Sequence, residues 1–443
     1  MIHFPSHSLK RISTDSETFY VFSDKHLILR VDALADEILT ASIAGKLDLS
    51  ALTALYGKSA VEEALLELSH VIGQNERPES PFPACEKQSP CSLTLSIAED
   101  CNMACTYCYQ GPNKRVHRMS GEVAMTAVDL IARHATRGDV MKIIFYGGEP
   151  LLNWEVIQTT IEHTLRSWAS MHPLSFFWVI TNGTLLTEER GQYLSSRGVK
   201  LTISIDGPAE IHDRCRRFPD GRGSHAKVVS NLAKLSGKVT AEVALAKQDI
   251  DILPATLHYL QQMGFADVII NPMEFNAHEP VFAEEDWRKL AQMYNLIAAS
   301  CASPPQSIRG YLDRVSNPAK KLYRCFAGQK DFFVAPDGRI FPCPGFYYLD
   351  AFDMGHVKTG VDTQQQETLL AAQVDNILAC QRCWARYFCG GPCFYKAFKE
   401  NGCLSAPSAR DCQQAQILIE SALRFRLGER PDNAEQVYSR SAL

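Results

Sequence analysis

Hydrophobic and polar residues follow three different patterns along this chain. Between residues 9 and 32, three short apolar runs rich in β-branched and aromatic residues predict strands: LKRI, FYVF and LILRV. Three helical patterns follow, ALADEILTASIAG, SALTALYG and SAVEEALLELSHVIG, and the last places Val61, Leu65 and Leu68 on one face. Three strands followed by three helices predict a winged-helix-like domain over residues 1–75.

A proline-rich stretch follows this domain, and we assign residues 76–91 as an extended linker. From Ser92 onward, six apolar runs alternate with helical stretches: SLTLSI, MKIIFY, SFFWVIT, KLTISI, KVTAEVAL and DVIIN. This alternation predicts an α/β fold, a partial (β/α)6 TIM-type barrel over residues 92–314 with its chemistry at the carboxyl ends of the strands. The alternation stops at about residue 315. A Cys- and Gly-rich domain is expected over 315–415, followed by a polar helical tail over 416–443.

Composition and charge narrow the function. The 443 residues include 45 Lys and Arg against 50 Asp and Glu, a net charge of −5, so no broad basic field favours nucleic acid as a partner. No apolar run reaches the roughly 18 to 20 residues that a membrane span needs, and the chain start lacks a secretory signal, so we expect a cytoplasmic protein. In a reducing compartment, clustered members of the 15 cysteines are better suited to metal binding or catalysis than to disulfides.

The first cysteine cluster follows the first barrel strand, in the segment AEDCNMACTYCYQG. Cys101, Cys105 and Cys108 have C-x3-C-x2-C spacing. Three thiolates on one short loop can hold three irons of a [4Fe-4S] cluster and leave the fourth iron open to another ligand. A structural zinc site normally has four protein ligands. His117, nine residues beyond Cys108, is a less favoured fourth ligand.

The loop CNMACTYC, with Tyr107 before its third cysteine, resembles the signature loop of the radical S-adenosylmethionine (SAM) enzymes. In that family, the amino and carboxylate groups of SAM chelate the fourth iron. Electron transfer from the reduced cluster cleaves SAM to a 5′-deoxyadenosyl radical. The resemblance therefore implies a SAM-binding [4Fe-4S] cluster on Cys101, Cys105 and Cys108.

Other segments at strand ends extend the resemblance. The segment Gly147–Pro150 matches the family's GGEP motif, whose backbone and Glu receive the SAM amino group. By the same resemblance, Ser204 and Arg216 bind the SAM carboxylate, with Arg214 and Arg217 as alternatives to Arg216. The full set of implied SAM contacts is Tyr107, Gly147, Gly148, Glu149, Pro150, Thr181, Asn182, Ser204, Asp206 and Arg216. We expect the neighbouring residues His212 and Asp213 to cap a turn, and we assign no catalytic residue.

The second cysteine region contains a C-x2-C-x5-C-x3-C array, whose spacing alone permits zinc or iron–sulfur ligation. With three more cysteines, it is similar to the seven-cysteine SPASM extension of radical SAM enzymes that modify peptides and proteins. The resemblance implies two auxiliary [4Fe-4S] clusters, and three clusters in total. Auxiliary cluster I takes Cys325, Cys343 and Cys393, and auxiliary cluster II takes Cys380, Cys383, Cys389 and Cys412. Cluster I is then one protein ligand short, and Cys403 is a less favoured alternative to Cys412.

The order of elements in residues 1–75 resembles the PqqD-like domain that binds the leader of a ribosomal precursor peptide. The whole chain thus resembles a radical SAM peptide maturase of the thioether-forming ranthipeptide or sactipeptide type, served by an electron donor of the flavodoxin or ferredoxin type. Other peptide modifications stay open: carbon–carbon or ether cross-links, epimerisation and sulfatase maturation to formylglycine. Sulfatase-maturing enzymes have an Asp directly after the GxxxxC cysteine, where this chain has Pro344. A noncatalytic metal-binding scaffold is the most distant alternative.

Overall fold

The computed structural model describes residues 9–14, 17–74, 91–108, 110–111, 116–134, 140–168, 175–235, 237–273, 282–317 and 319–429. The chain divides into two compact units. The first unit contains Met1–Pro83, Tyr311–Cys325 and Ala371–Glu429, and the second contains Ala84–Gly310, Phe326–Leu370 and Arg430–Leu443. The predicted linker falls almost entirely outside the described residues. None of the helices in the described ranges is long and apolar enough to cross a membrane.

The N-terminal elements follow the predicted order of three strands and three helices. They are β1 (Leu9–Ser13), β2 (Thr18–Phe22), β3 (Leu27–Val31), α1 (Ala33–Ile43), α2 (Leu49–Tyr56) and α3 (Lys58–Gln74). The strands form an antiparallel sheet in the order β1-β2-β3. Helix α1 begins where the Asp32 carboxylate accepts a hydrogen bond from the Ala35 N–H. The winged-helix-like character of this domain stays a prediction.

Strand–helix alternation forms the second unit. Its strands are β4 (Cys91–Ala98), β5 (Met141–Gly147), β6 (Ser175–Thr181), β7 (Lys200–Ser204), β8 (Val239–Leu245) and β9 (Asp267–Pro272). Its helices are α4 (Gly121–His134), α5 (Trp154–Trp168), α6 (Glu188–Ser196), α7 (Ala209–Cys215), α8 (His225–Leu232), α9 (Leu253–Gln262) and α10 (Glu284–Ser300). Strands β4 to β9 pair in parallel with their neighbours, which confirms the predicted α/β fold.

The remaining elements run from α11 (Gln306–Ser316) to the C-terminal helix. They are β10 (Asp331–Val334), β11 (Ile340–Phe341), β12 (Gly355–His356), β13 (Gly360–Val361), α12 (Thr363–Ala371), α13 (Leu378–Gln381), α14 (Arg386–Cys389), α15 (Phe394–Asn401) and α16 (Ala409–Arg426). Strand β10 joins the sheet parallel to β4, and β11 pairs antiparallel to β10. The large sheet is therefore open, with the order β11-β10-β4-β5-β6-β7-β8-β9, and has two strands more than we predicted.

Both faces of β2 are buried within the first unit. Tyr20 and Phe22 point to one face and pack with helices α1 to α3. Val21 points to the other face, as the period of two along a strand requires, and packs with Phe388 and Ile419. The N-terminal sheet therefore shares a hydrophobic core with the C-terminal cysteine-rich helices of the same unit.

Candidate functional site

The loop after β4 carries the first three cysteines and is held by backbone hydrogen bonds. The Ala104 N–H donates to the Arg217 carbonyl at 2.8 Å, and the Thr106 N–H donates to the Cys215 carbonyl at 3.0 Å. The loop thus pairs with the chain segment at the end of α7. A further bond, from the Cys108 N–H to the Cys105 carbonyl at 3.2 Å, closes a turn between these two cysteines.

The sulfur of Cys101 accepts hydrogen bonds from two parts of the chain. The Met103 N–H donates at 3.4 Å, and the Asn182 Nδ2 lies 3.8 Å away. Asn182 follows the end of β6 and also donates to the Asn102 Oδ1 at 2.9 Å. The structure therefore brings Asn182, one of the implied SAM contacts, to the cysteine loop.

The two glycines after β5 lie against the backbone that leads into the cysteine loop. The Gly148 N–H donates to the Ala98 carbonyl at 2.7 Å. A Cβ atom on Gly147 would collide with the Ala98 carbonyl, and one on Gly148 would collide with the carbonyl of Asp100. Gly147 also has a φ of 140°, which L side chains rarely adopt. The close approach of the two backbone segments explains why both positions are glycine.

Glu149 connects the ends of two neighbouring strands. Its fully buried carboxylate accepts hydrogen bonds from the Thr181 Oγ1 at 2.7 Å, the Asn182 N–H at 2.8 Å and the Leu151 N–H at 2.9 Å. Burial raises the pKa of Glu149 to about 7, although these hydrogen bonds oppose the rise. Both carboxylate oxygens already accept hydrogen bonds from the protein. In the predicted contact, the SAM amino group would donate to an oxygen that also accepts from one of these protein groups. Pro150 begins a short 3-10 helix after this residue.

A buried ion pair lies beside the cysteine loop. The Arg216 guanidinium donates to both oxygens of Asp206, at 2.8 and 3.1 Å, and the Tyr107 hydroxyl donates to the same carboxylate at 2.8 Å. The Ala244 N–H adds a further bond at 2.9 Å. Burial raises the pKa of Tyr107 well above its ordinary value, which keeps the hydroxyl protonated as a donor. Arg216 thus has Asp206 as its partner, whereas the resemblance assigned it to the SAM carboxylate.

The two alternative arginines point elsewhere. Arg214 forms an ion pair with Asp249, and the Arg217 Nε donates to the Asp213 carbonyl at 2.7 Å. Of the three, only Arg216 is buried and bonded to a residue at the end of β7. This placement favours Arg216 over its neighbours as the arginine of the site.

His212 and Asp213 support the site. The Asp213 carboxylate accepts from the His225 N–H at 2.9 Å at the start of α8, as expected of a cap. His212 is fully buried, and its Nδ1 accepts from the Asp206 N–H at 3.3 Å while its Nε2 lies 2.9 Å from the Ser224 hydroxyl. Burial lowers the pKa of His212 to about 4, so the ring is neutral and can accept from Asp206. Sequence reasoning missed this support because it treated His212 as a turn cap, and no local pattern shows that its ring is buried between Asp206 and Ser224.

Four cysteines of the first unit, the second site, are the predicted ligands of auxiliary cluster II: Cys380, Cys383, Cys389 and Cys412. Burial, together with the charges of Cys383 and Cys389, raises the pKa values of Cys380 and Cys412 to about 12. The four thiols therefore influence one another, as the ligands of one cluster would. Cys403, by contrast, is exposed. Because Cys325 is exposed as well, exposure alone does not decide between ligands, and the choice of Cys412 over Cys403 stays a prediction.

Side chains that sequence reasoning missed surround the second site. The Gln416 Nε2 lies 3.4 Å from the Cys383 sulfur. The Asp411 carboxylate, 3% exposed, binds the Arg324 guanidinium at 2.6 Å and the Lys396 ammonium at 2.9 Å. Asp411 and Arg324 each lie next to a predicted ligand in the sequence, Cys412 and Cys325, and this adjacency is the signal that could have found them. No motif marks Gln416.

Cluster I is divided between the units. Cys325 and Cys393 belong to the first unit and Cys343 to the second, so this ligand set stays a prediction. Within the described ranges, no three His, Cys, Asp or Glu side chains are arranged around one point as ligands of a single metal ion. A [4Fe-4S] cluster does not require such an arrangement, because each thiolate binds a different iron.

Comparison with known proteins matches the parallel strands and helices of the second unit to a family. Residues 95–245, from β4 to the end of β8, match the Radical SAM superfamily. A protein of Methanocaldococcus jannaschii without an assigned function is 32% identical over 256 residues, which cover 57% of this chain and 84% of that protein. This chain belongs to the radical SAM superfamily. Membership implies SAM and a [4Fe-4S] cluster, and the cysteine loop, with hydrogen bonds already directed at the Cys101 sulfur, fits this cofactor pair.

Relatives and solved structures of this radical SAM protein extend the comparison. A cysteine-type anaerobic sulfatase-maturating enzyme of Clostridium novyi is 25% identical over 293 residues, covering 60% of this chain and 77% of that enzyme. The structure of native anSMEcpe with bound AdoMet and Cp18Cys peptide has a TM-score of 0.62 at 20% identity, covering 76% of this chain and 98% of that one. Streptococcus suis SuiB bound to S-adenosylmethionine has a TM-score of 0.55 at 12% identity, covering 92% of this chain and 99% of that one. These structures share the fold of this chain.

Proposed function

We propose that this radical SAM enzyme modifies a ribosomally synthesised precursor peptide by joining a Cys sulfur to a carbon of another residue as a thioether. The presence of the N-terminal domain is the main observation behind this proposal. Likeness to SuiB extends over 92% of this chain, against 76% for anSMEcpe. A further SuiB structure, with a TM-score of 0.51, is bound to the precursor peptide SuiA. The N-terminal sheet of β1, β2 and β3 is the part of this chain that we propose holds the peptide.

The N-terminal sheet offers an edge for a peptide. Strand β3 lies at one end of the order β1-β2-β3, and no further strand pairs with it among the described residues. Such an edge can accept an extended peptide as an added strand, with main-chain hydrogen bonds giving affinity. We propose that the leader of the precursor peptide binds along Leu27–Val31.

The residues of the barrel site would hold and orient the cofactors. SAM, when bound to a reduced [4Fe-4S] cluster, supplies the ability to abstract a hydrogen atom from carbon. Cys101, Cys105 and Cys108 would bind three irons of that cluster. Glu149 would hold the ends of β5 and β6 together beside that cluster. The ion pair of Asp206 and Arg216 would line the site with polar groups after the end of β7.

The auxiliary clusters are part of this proposal. Cys380, Cys383, Cys389 and Cys412 would bind auxiliary cluster II, and Cys325, Cys343 and Cys393 would bind auxiliary cluster I. The open ligand position of cluster I would suit a substrate thiolate, because iron–sulfur clusters prefer sulfur ligands. A flavodoxin or ferredoxin type donor would supply electrons.

Sulfatase maturation is the second candidate, and the similarity to the Clostridium novyi enzyme favours it. In this reaction a Cys or Ser of the target would become formylglycine. The presence of Pro344 after Cys343, in place of Asp, supports the thioether reaction instead.

The experiment uses the full chain, reconstituted with iron and sulfide under anaerobic conditions. The substrate is a Cys-containing peptide encoded by a small open reading frame beside the gene. Mass spectrometry of the reacted peptide should show loss of two hydrogens and one thiol that no longer reacts with iodoacetamide. A product with a hydrazide-reactive aldehyde at the former Cys would favour sulfatase-type maturation. A loss of two hydrogens with every thiol still reactive would refute the thioether.

A further inference from the structure

A side-chain amide is directed at one sulfur of the second cysteine site. The Gln416 Nε2 lies 3.4 Å from the Cys383 Sγ, within hydrogen-bonding distance for sulfur. Gln416 lies on α16, one turn beyond Cys412. The same helix buries Ile419 and Leu423 in the core of the unit, so packing fixes the helix that carries the amide.

A group of buried charges lies beside the same site. Asp411 binds both Arg324 and Lys396, whose side chains are 18% and 14% exposed. One carboxylate and two cations leave a net positive charge, and the Arg324 guanidinium stays protonated in any case. Charges at Cys389 and Cys393 act on Arg324, which shows that its guanidinium is near these sulfurs.

The amide and the two cations would act in the same direction on an iron–sulfur cluster at this site. Reduction adds one negative charge to a site that already contains four thiolates. Hydrogen bonds to the sulfurs and nearby positive charge stabilise that added charge, and both are among the factors that set the reduction potential of such clusters. The donor at Cys383 and the Arg324 guanidinium near Cys389 therefore favour the reduced state, and Lys396 offsets the charge of Asp411, which acts in the opposite direction at Cys412.

We propose that Gln416, together with Arg324 and Lys396, raises the reduction potential of a [4Fe-4S] cluster bound by Cys380, Cys383, Cys389 and Cys412. This inference rests on the proposed auxiliary cluster II. In the proposed reaction, a carbon radical and a thiolate form the C–S bond, the thiol proton leaves to solvent, and one electron remains. An oxidised auxiliary cluster is the acceptor for that electron, so Gln416 is a positioning residue for electron removal.

The test is a potentiometric titration of the reconstituted full chain, followed by electron paramagnetic resonance. Gln416→Leu removes the donor and should shift the midpoint of one cluster signal to a more negative potential, with the iron and sulfide content unchanged. Gln416→Glu should shift the same signal further, because it adds a negative charge. Gln192→Leu, an exposed glutamine of α6, is the matched control and should shift none.

A second variant keeps the inference testable if Gln416→Leu loses the cluster. Lys396→Met removes one cation and leaves Asp411 bound to Arg324, so it should shift the same midpoint in the same direction. Lys399→Met, on the same helix α15, is its control. Unchanged midpoints in cluster-loaded Gln416→Leu and Lys396→Met would overturn the inference and leave the proposed function intact. A wild-type chain without an auxiliary cluster signal would overturn both.

Discussion

The two cysteine sites of this chain are built in opposite ways. The three cysteines of the first site lie on one loop after β4, and backbone bonds to the segment near Cys215 hold that loop. The four cysteines of the second site come from α13, α14, α16 and the turn between the first two. The first site is thus a local feature of the sequence, whereas the second depends on packing between helices.

Charge distinguishes the two sites as well. Beside the first, Asp206 cancels the charge of Arg216. Beside the second, Asp411 faces both Arg324 and Lys396, so positive charge remains. Three thiols leave one iron of a [4Fe-4S] cluster open to a small-molecule ligand, whereas four thiols saturate such a cluster. Under the proposed function, the first site would cleave SAM and the second would accept electrons.

The largest effect is expected when one cysteine is removed from each site in turn. Cys105→Ala should abolish formation of 5′-deoxyadenosine from SAM, because only two thiolates would remain on the loop. Cys389→Ala should retain SAM cleavage and abolish the modified peptide. Chromatography of the nucleoside and mass spectrometry of the peptide measure the two losses separately. Loss of SAM cleavage in both variants, with the second still folded, would contradict the division of roles.

The next test removes one partner of the buried ion pair at the first site. Asp206→Asn leaves the Arg216 guanidinium buried without its counter-charge, which typically costs about 3–5 kcal/mol of unfolding free energy. Urea denaturation measures the loss. Asp220→Asn at the exposed pair of Asp220 and Arg222 is the control and should change little. Equal effects in the two variants would show that Arg216 finds another partner.

The contrast between the sites also explains what the sequence could predict. The cysteine loop and the GGEP segment were visible because each is a short motif at the end of an apolar run. Strand β10 was missed because its four residues, DFFV, are too short to stand out in a Cys- and Gly-rich region. The Gln416 contact was missed because it joins α16 to a cysteine 33 positions earlier in the chain. Contacts that depend on tertiary packing leave no local pattern.

A smaller effect is expected at Glu149. Its pKa rises from the ordinary value of 4.5 to about 7, so the folded state binds more protons than the unfolded state between these values. Stability from this group is complete below pH 4.5 and declines as the pH rises through about 7. Glu149→Gln should flatten that decline and cost about 1–3 kcal/mol through a mismatched donor. Urea denaturation at pH 5 and pH 8 measures the loss of stability and its change with pH. The same pH dependence in the wild type and in Glu149→Gln would contradict a raised pKa of Glu149.

The smallest effect is expected where the N-terminal sheet meets α16. The Lys10 ammonium lies 2.8 Å from the Glu420 carboxylate, and the two side chains are 31% and 25% exposed. Solvent screens such a pair, so Lys10→Met should lower the unfolding free energy by no more than about 1 kcal/mol. Ile12→Ala, which removes a fully buried side chain from the shared core beside the same helix, should cost considerably more. A loss for Lys10→Met as large as that for Ile12→Ala would contradict solvent screening of this pair. A shift of an auxiliary cluster midpoint in Lys10→Met would show that Lys10, like Arg324 and Lys396, influences the reduction potential. If Lys10→Met shows neither effect, apolar packing holds the sheet to α16, and the charges that influence the reduction potential are those of the residues around Asp411.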